Sequence, residues 1–210
     1  MENFDYTKFY NSIRKDLFKG TLTQSQVDGI NTILENTTDL SRPERAYILA
    51  TVYHETAKQM QPLSEYGKGK SYSYGKWQQN SKGTEYCFKN GSKSVVYTKD
   101  ECPHLFYGRG LVQLTWYDNY ELATRKLQKV GILTPEQSLI KDPELANDPK
   151  VATWIMKLGM VEGWFTSRKL SDYIRTDKKD YVNARRIING MDSANAIALY
   201  ADYFEKGLLA

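Results

Sequence analysis

Glu55, in the run His54-Glu55-Thr56, and the stretch Tyr107-Gly108-Arg109-Gly110-Leu111-Val112-Gln113-Leu114-Thr115-Trp116 hold the residue types whose spacing could do chemistry. Glu55 falls near the end of a predicted helix, where unpaired carbonyls and the negative end of the dipole favour a carboxyl that keeps its proton. Such a carboxyl is what a departing glycosidic oxygen requires, so the combination points to hydrolysis of a sugar bond. Glu55 also follows Val52 by three residues in a segment that reads as buried, and partial burial acts in the same direction. The competing reading is a solvent-facing helical glutamate, mildly unfavourable to the dipole.

A second carboxylate is needed to activate water or to form a covalent intermediate, and Glu65, Glu85 and Glu101 follow in chain order. Carboxyl separations of roughly 6.5 to 9.5 Å imply inversion and roughly 5 to 5.5 Å retention, and loops can bring any of the three into either range. For Glu85 and Glu101 a solvated loop charge is the simpler reading. Arg109 lies between two glycines, which lets backbone approach a ligand while a guanidinium pairs with its oxygens. The alternative is a tight turn in which Arg109 braces the core through a buried ion pair. Gln113, Thr115 and Asn119 could face one cleft from a short extended piece entering a helix, and the Thr115 hydroxyl could hold an attacking water. Among four tryptophans and 16 tyrosines, Tyr72, Tyr74 and Trp77 lie in a polar stretch and are candidates for stacking on sugar rings. Trp154 and Trp164 are expected in the core.

Helices must position these groups. Thr23-Gln24-Ser25-Gln26 and Ser41-Arg42-Pro43-Glu44 read as capping boxes, the second opening a helix that runs to about Met60 and carries Glu55 in its last turns. From Tyr66 to about Phe106 the composition changes to Gly, Ser, Lys and Tyr, predicting loops and a small β hairpin from runs such as Tyr72-Ser73-Tyr74 and Ser94-Val95-Val96-Tyr97. Further helices are expected over 119–130, after Asp148-Pro149, over 182–189 ending at Gly190, and behind an Asp192 cap.

At 210 residues, 40% hydrophobic and 26% charged, the chain fits one soluble catalytic domain. Its helical core is predicted over about 20–62 and 107–210, with a loop and β lobe over about 63–106. No run approaches the roughly 20 apolar residues of a membrane span, so no stable membrane insertion is expected. The N-terminus lacks the basic start and apolar run of a secretory signal, which places synthesis in a cytoplasm. A net charge of +4 and a pI near 8.8 give a weak preference for anionic partners. His54 and His104 are the only histidines, and Lys58 stands where a helical His-Glu-x-x-His zinc site needs its second ligand, so no metal is expected. Cys87 and Cys102 are compatible with a disulfide or with two free thiols.

Taken together, His54-Glu55-Thr56, Tyr107-Gly108-Arg109-Gly110, Gln113-Leu114-Thr115, Asn119-Tyr120 and Arg186-Ile187-Ile188-Asn189-Gly190 resemble family 19 glycoside hydrolases. The phrase from Met60-Gln61-Pro62 to Glu65-Tyr66-Gly67-Lys68-Gly69 is similar to the bacteriophage endolysin branch of that family rather than to plant chitinases. The resemblance covers roughly residues 40 to 205. It implies a mainly α, bilobal lysozyme-like fold that cleaves β-1,4 bonds of peptidoglycan or chitin without cofactor, acting as a monomer. Carried over by position, Glu55 is the general acid and Thr115 holds the nucleophilic water, while Gln113, Asn119 and Asn189 contact the sugar; Tyr107 and Arg109 are expected to bind substrate beside them. Trp77 stands where chitinases carry the second carboxylate, and Glu65 is the replacement the endolysin-like wording suggests. The implied setting is a host cytoplasm, followed by release to the wall through a separate pore. An endochitinase, a wall-binding protein without turnover, and a nucleic-acid binder using the Lys- and Tyr-rich residues 68 to 99 are the competing classes.

Overall fold

Local capping chemistry sets where the first helices begin. Asp5 accepts from the Lys8 N–H at 3.0 Å and opens α1 (Tyr6–Leu17). Thr23 and Gln26 accept reciprocally from each other's backbone N–H at 3.2 and 2.8 Å, closing the box ahead of α2 (Gln24–Asn36). Glu44 accepts from the Ser41 N–H and Oγ at 2.9 and 2.6 Å, ahead of α3 (Arg42–Glu55). The sequence pattern leaves α1 unassigned, although Phe9, Ile13 and Leu17 recur at helical spacing and are its buried face.

This computed structural model describes residues 4–175 and 177–209. The chain forms two compact units, one built from the chain up to Gln61 and from Met156 onward, the other from Pro62 to Ile155. In the first, α3 is buried all round from Ala46 to Tyr53, as befits a central helix. It stops at Glu55, short of the expected Met60. The stop is made without glycine: Ala57, Lys58 and Met60 take φ of 48°, 71° and 57°. Thr56 holds the turn, donating to the Val52 carbonyl at 2.7 Å and accepting from the Met60 N–H at 3.0 Å.

Gly29 of α2 lies directly under this turn, and a Cβ there would overlap the Met60 carbonyl oxygen. Gly29→Ala is therefore expected to cost about 1–3 kcal/mol by overpacking and to lower the melting temperature by about 5 °C. Gly190→Ala, whose Cβ would meet nothing within 4 Å, is the control and should melt like the parent in a calorimetric scan.

The second unit contains a three-stranded antiparallel sheet in the order β1 (Gln78–Gln79), β2 (Glu85–Phe88), β3 (Val96–Thr98), with Cys87 opposite Tyr97. Tyr72-Ser73-Tyr74 is not one of its strands. The Tyr72 N–H bonds the Gly69 carbonyl at 2.8 Å, and Gly75 folds back so closely that a Cβ there would overlap that same carbonyl oxygen. Glycine turns, not the alternation of side chains, decide that segment. Cys87 and Cys102 are buried free thiols, pushed up by that burial. Helix α4 (Tyr117–Lys129) ends ahead of Gly131 at φ +73°, as expected.

Asp148 caps α5 (Pro149–Glu162), accepting from the Val151 N–H at 2.9 Å with proline in the first helical position. Trp154 and Trp164, expected in the core, are only half-buried. The rest of the chain forms α6 (Leu170–Tyr173), the two-residue strands β4 (Ile174–Arg175) and β5 (Lys178–Lys179), α7 (Tyr181–Ala184) and α8 (Ala194–Leu208). The single helix expected over 182–189 is instead α7 tightening into a 3-10 turn, Arg185–Ile187. Asp192 does not cap α8, whose N-cap is Ser193 at φ +58°; the Asp192 carbonyl accepts from Arg185 Nε at 3.0 Å. Ile197, Ala201 and Phe204 of α8 are buried, and Tyr53 of α3 meets Tyr200 edge-on at 4.8 Å. The architecture is mainly α with a small β lobe, as the sequence predicts. Among the described residues no helix is long and apolar enough to cross a membrane.

Candidate active site

In the first unit the last residue of α3 supplies the carboxyl. The Glu55 side chain is 18% exposed and its Oε1 accepts from Arg185 Nη1 at 2.5 Å, the guanidinium being 3% exposed. A buried guanidinium against a carboxyl that is still partly exposed is a charge-assisted bond. The helix-end and burial argument omitted this opposing cation, which comes from 130 positions away. One signal marks it in the sequence: Arg185 follows buried Tyr181 by four residues, in a position helical spacing assigns to the interior. Asn189 donates its backbone N–H to the Arg185 carbonyl at 3.1 Å and its side-chain oxygen accepts from the Gly190 N–H at 2.9 Å; among the described residues its amide NH2 has no hydrogen-bond partner.

In the second unit three chain segments build a local frame. Residues 63–65 run beside 108–110, with Leu63 N–H donating to the Gly110 carbonyl at 3.3 Å and Glu65 N–H to that of Gly108 at 2.7 Å. Arg109 and Leu114 exchange backbone bonds of 3.2 and 2.9 Å, and Trp116 N–H donates to the Phe106 carbonyl at 2.9 Å. The Glu65 carboxylate is oriented by the Gly108 N–H at 2.9 Å and the Tyr74 hydroxyl at 3.0 Å. Burial, together with the bond to Glu65, pushes the Tyr74 phenol up and keeps it a donor. A Cβ on Gly108 would stand 2.5 Å from Gln113 Oε1, so a side chain there would displace the Gln113 amide. Gln113 Nε2 in turn donates to the Leu63 carbonyl at 3.0 Å, so its amide ties the Glu65 segment to the frame.

Thr115 sits on the third segment. Its carbonyl accepts from Asn119 Nδ2 at 2.9 Å, and among the described residues its hydroxyl has no hydrogen-bond partner. Gln113 and Trp116, on either side of it, take φ of 54° and 72°, a costly conformation for residues with side chains and one concentrated at functional sites. The Trp116 ring meets Tyr74 edge-on at 5.1 Å, and Tyr74 stacks on Tyr72 at 5.2 Å. Trp77 packs against Tyr97 at 5.6 Å and belongs to the sheet rather than to this cluster.

Tyr107 and Arg109, expected to contact the sugar, are buried. Arg109 is 4% exposed, and its guanidinium serves Glu144 at 2.9 Å, the Leu105 carbonyl at 3.2 Å and the Tyr120 hydroxyl at 3.2 Å. The Tyr107 ring lies under it at 3.6 Å. The bracing ion pair, the alternative reading of this turn, is what the structure shows. Of the other carboxylates, Glu85 pairs with Lys99 at 2.7 Å on the surface. Glu101 accepts from the Thr98 N–H at 2.7 Å and hydroxyl at 3.0 Å, bonds that hold its carboxyl below the usual range.

Neither a protein-family model nor a curated protein matches the sequence. By structure the chain is similar to chitinase C from Streptomyces griseus, with a TM-score of 0.58 and 18% identity over 99% of this chain and 77% of that one. It is similar to a mutant of chitinase C, with a TM-score of 0.53 and 19% identity over 99% and 77% of the two chains. A bacterial family 19 chitinase matches with a TM-score of 0.50 and 20% identity over 98% and 94%. The fold is therefore the helical, lysozyme-like fold of family 19 chitinases.

Proposed function

We propose that this chain is a glycoside hydrolase that cuts β-1,4 bonds between the amino sugars of bacterial peptidoglycan, as a phage-type endolysin does. The observation that carries this reading is Glu55, a half-buried carboxyl ending a core helix and held on one edge by Arg185. Glu55 protonates the leaving oxygen; Glu65 acts as general base on a water that the Thr115 hydroxyl holds. Glycoside hydrolysis of this kind draws on carboxyl groups alone and calls for no cofactor. Asn119, Asn189, Tyr72 and Tyr74 contact the glycan. Support comes from the chitinase fold and from the endolysin-like wording of residues 60 to 69. The protein acts as a monomer, is made in a host cytoplasm and reaches the wall through a separate pore; nucleic acid is not its target.

A second reading, an endochitinase, is favoured by the names of the proteins it resembles. The test is turnover of purified peptidoglycan and of chito-oligomers by the parent protein and by Glu55→Gln, with product ends identified by mass spectrometry. Peptidoglycan cleared with new reducing sugar ends by the parent alone supports the endolysin reading; preferential turnover of chito-oligomers supports the second. Equal clearing by both proteins removes Glu55 from the mechanism. If Glu65 is the base, Tyr74→Phe takes away one of its two orienting bonds while keeping the ring. Turnover should then fall about tenfold, the kinetic equivalent of one hydrogen bond to a charged group, with melting little changed.

A further inference from the structure

Helix α3 is ended by residues that favour helix. Ala57, Lys58, Gln59 and Met60 are all strong helix formers, with neither glycine nor proline among them, and by propensity they would carry α3 past Glu55. The chain closes a Schellman motif instead. Lys58 N–H donates to the Tyr53 carbonyl at 2.8 Å and Ala57 N–H to that of His54 at 3.2 Å, with Ala57 at φ +48° in the left-handed place that glycine usually takes. A residue with a Cβ is unfavourable there, and Lys58 and Met60 repeat the cost at φ +71° and +57°. Such a run persists only where its surroundings over-determine it.

One hydroxyl supplies that constraint. In a continued helix the Met60 N–H would bond the carbonyl of Thr56, four residues back. Here it bonds Thr56 Oγ1 at 3.0 Å, and the Thr56 carbonyl accepts from the Gln59 N–H at 3.0 Å. The same hydroxyl gives its proton to the Val52 carbonyl at 2.7 Å, so it is both donor and acceptor within this one turn. Thr56 is 1% exposed and Met60 fully buried, so the Met60 N–H without this acceptor loses more than an ordinary hydrogen bond contributes. Helix α2 receives the finished turn: Gln26 Nε2 donates to the Lys58 carbonyl at 3.1 Å, and Gln61 Nε2 to the Ser25 carbonyl at 2.6 Å.

Where α3 stops decides what lies over Glu55, its last residue. Helical side chains lean back over the turn before them, so one more turn would set Lys58 and Gln59, three and four residues on, across the Glu55 carboxyl. An ammonium there would compete with Arg185 and cover the acid. With the helix ended, the Lys58 ammonium lies over the Tyr53 ring at 5.5 Å, and Glu55 keeps its partial exposure and its bond to Arg185. Resting on the glycosidase reading above, we infer that Thr56 is a positioning residue for the acid. By taking the Met60 N–H on its side chain it ends α3 at Glu55 and keeps Lys58 and Gln59 off the carboxyl.

The experiment compares the parent with Thr56→Val, which keeps the volume and removes the hydroxyl, with Thr56→Ser, which keeps the hydroxyl, and with the double variant Thr56→Val/Ala57→Gly, where glycine favours the left-handed stop without it. For each, kcat, KM and the melting temperature are measured on the proteins that turn over peptidoglycan or chito-oligomers. The intraresidue amide–Hα NOEs of residues 57 and 58, strong at positive φ, are recorded without substrate. Thr56→Val should lose the strong NOEs and about a hundredfold in kcat, the scale of a misplaced catalytic group. Thr56→Ser should keep the NOEs and the turnover. The double variant should regain the Lys58 NOE and about tenfold in kcat, a recovery that a hydroxyl acting on the substrate itself would not show. Parental NOEs in Thr56→Val overturn the inference, and so does a lowered melting temperature with parental kcat, which is the mark of a purely structural role. Should Thr56→Val alone fail to fold, the double variant carries the test: the Lys58 NOE with turnover supports the inference, and the NOE without turnover overturns it. Should Glu55→Gln retain full turnover, the glycosidase reading fails, while the NOEs still decide whether Thr56 ends α3.

Discussion

Glu55→Gln should lower turnover of the cell-wall polymer by about a thousandfold and leave KM nearly unchanged. Glutamine has the shape of the carboxyl but no transferable proton, and a positioned general acid contributes roughly 10²- to 10⁴-fold. The loss belongs in kcat because the proton is needed only as the glycosidic bond breaks. The variant should still fold, since an amide oxygen can accept from Arg185 Nη1 as the carboxylate does at 2.5 Å. Glu55→Ala is a different experiment. It strands a guanidinium that is 3% exposed, and removing one partner of a buried pair costs on the order of 3–5 kcal/mol. Comparing the two by thermal unfolding separates the chemical role of Glu55 from its structural one. A glutamine variant that hydrolyses at the parental rate would exclude the acid role outright.

Arg109→Leu should destabilise the protein by about 3 kcal/mol and lower its melting temperature by roughly 6–12 °C. The cost does not come from Glu144, whose side chain is 60% exposed and stays hydrated once released. It comes chiefly from the Leu105 carbonyl, which loses its Arg109 Nη1 donor at 3.2 Å, and from the emptied guanidinium site; the Tyr107 carbonyl and Tyr120 hydroxyl lose bonds of 3.4 and 3.2 Å to Nη1 but keep the 2.8 Å bond between them. A buried carbonyl left without a donor loses more than a typical hydrogen bond contributes. Urea titration followed by tryptophan fluorescence measures the change. A variant of parental stability with a raised KM would return Arg109 to the ligand-binding role its sequence motif suggests.

The starts of α2, α3 and α5 were legible because their chemistry is local. The boxes at Thr23 and Ser41 and the Asp148-Pro149 start bring donors and acceptors together within three residues, so residue identity alone determines the outcome. The end of α3 was not, since it turns on Ala57, Lys58 and Met60 in left-handed conformations and no glycine marks the place. The Tyr72–Tyr74 segment failed as a strand for the opposite reason. Its side chains alternate, but Gly69 and Gly75 close on each other and fold it into turns. The same limit applies to the site. The Tyr107–Trp116 run could be picked out by its composition, yet whether Arg109 faces a ligand or the interior depended on Glu144, 35 positions further along.

By itself, the sequence determined a mainly helical chain with a polar β lobe, the helix that carries Glu55, and the candidate trio Glu55, Glu65 and Thr115. The elements follow from periodicity, capping and composition, which act over a few residues; the choice of Glu65 over Glu85 and Glu101 comes from the resemblance to the endolysin branch. Only the tertiary structure decided that Arg185 holds Glu55, that Gly108 and Tyr74 orient Glu65, that Arg109 is a brace, and that the Thr56 hydroxyl takes the Met60 N–H where α3 ends. The physical reason is that electrostatic and hydrogen-bond partners in a folded interior are chosen by proximity in space. Arg185, Gly108 and Glu144 lie 130, 43 and 35 positions from Glu55, Glu65 and Arg109, distances at which local pattern carries no information.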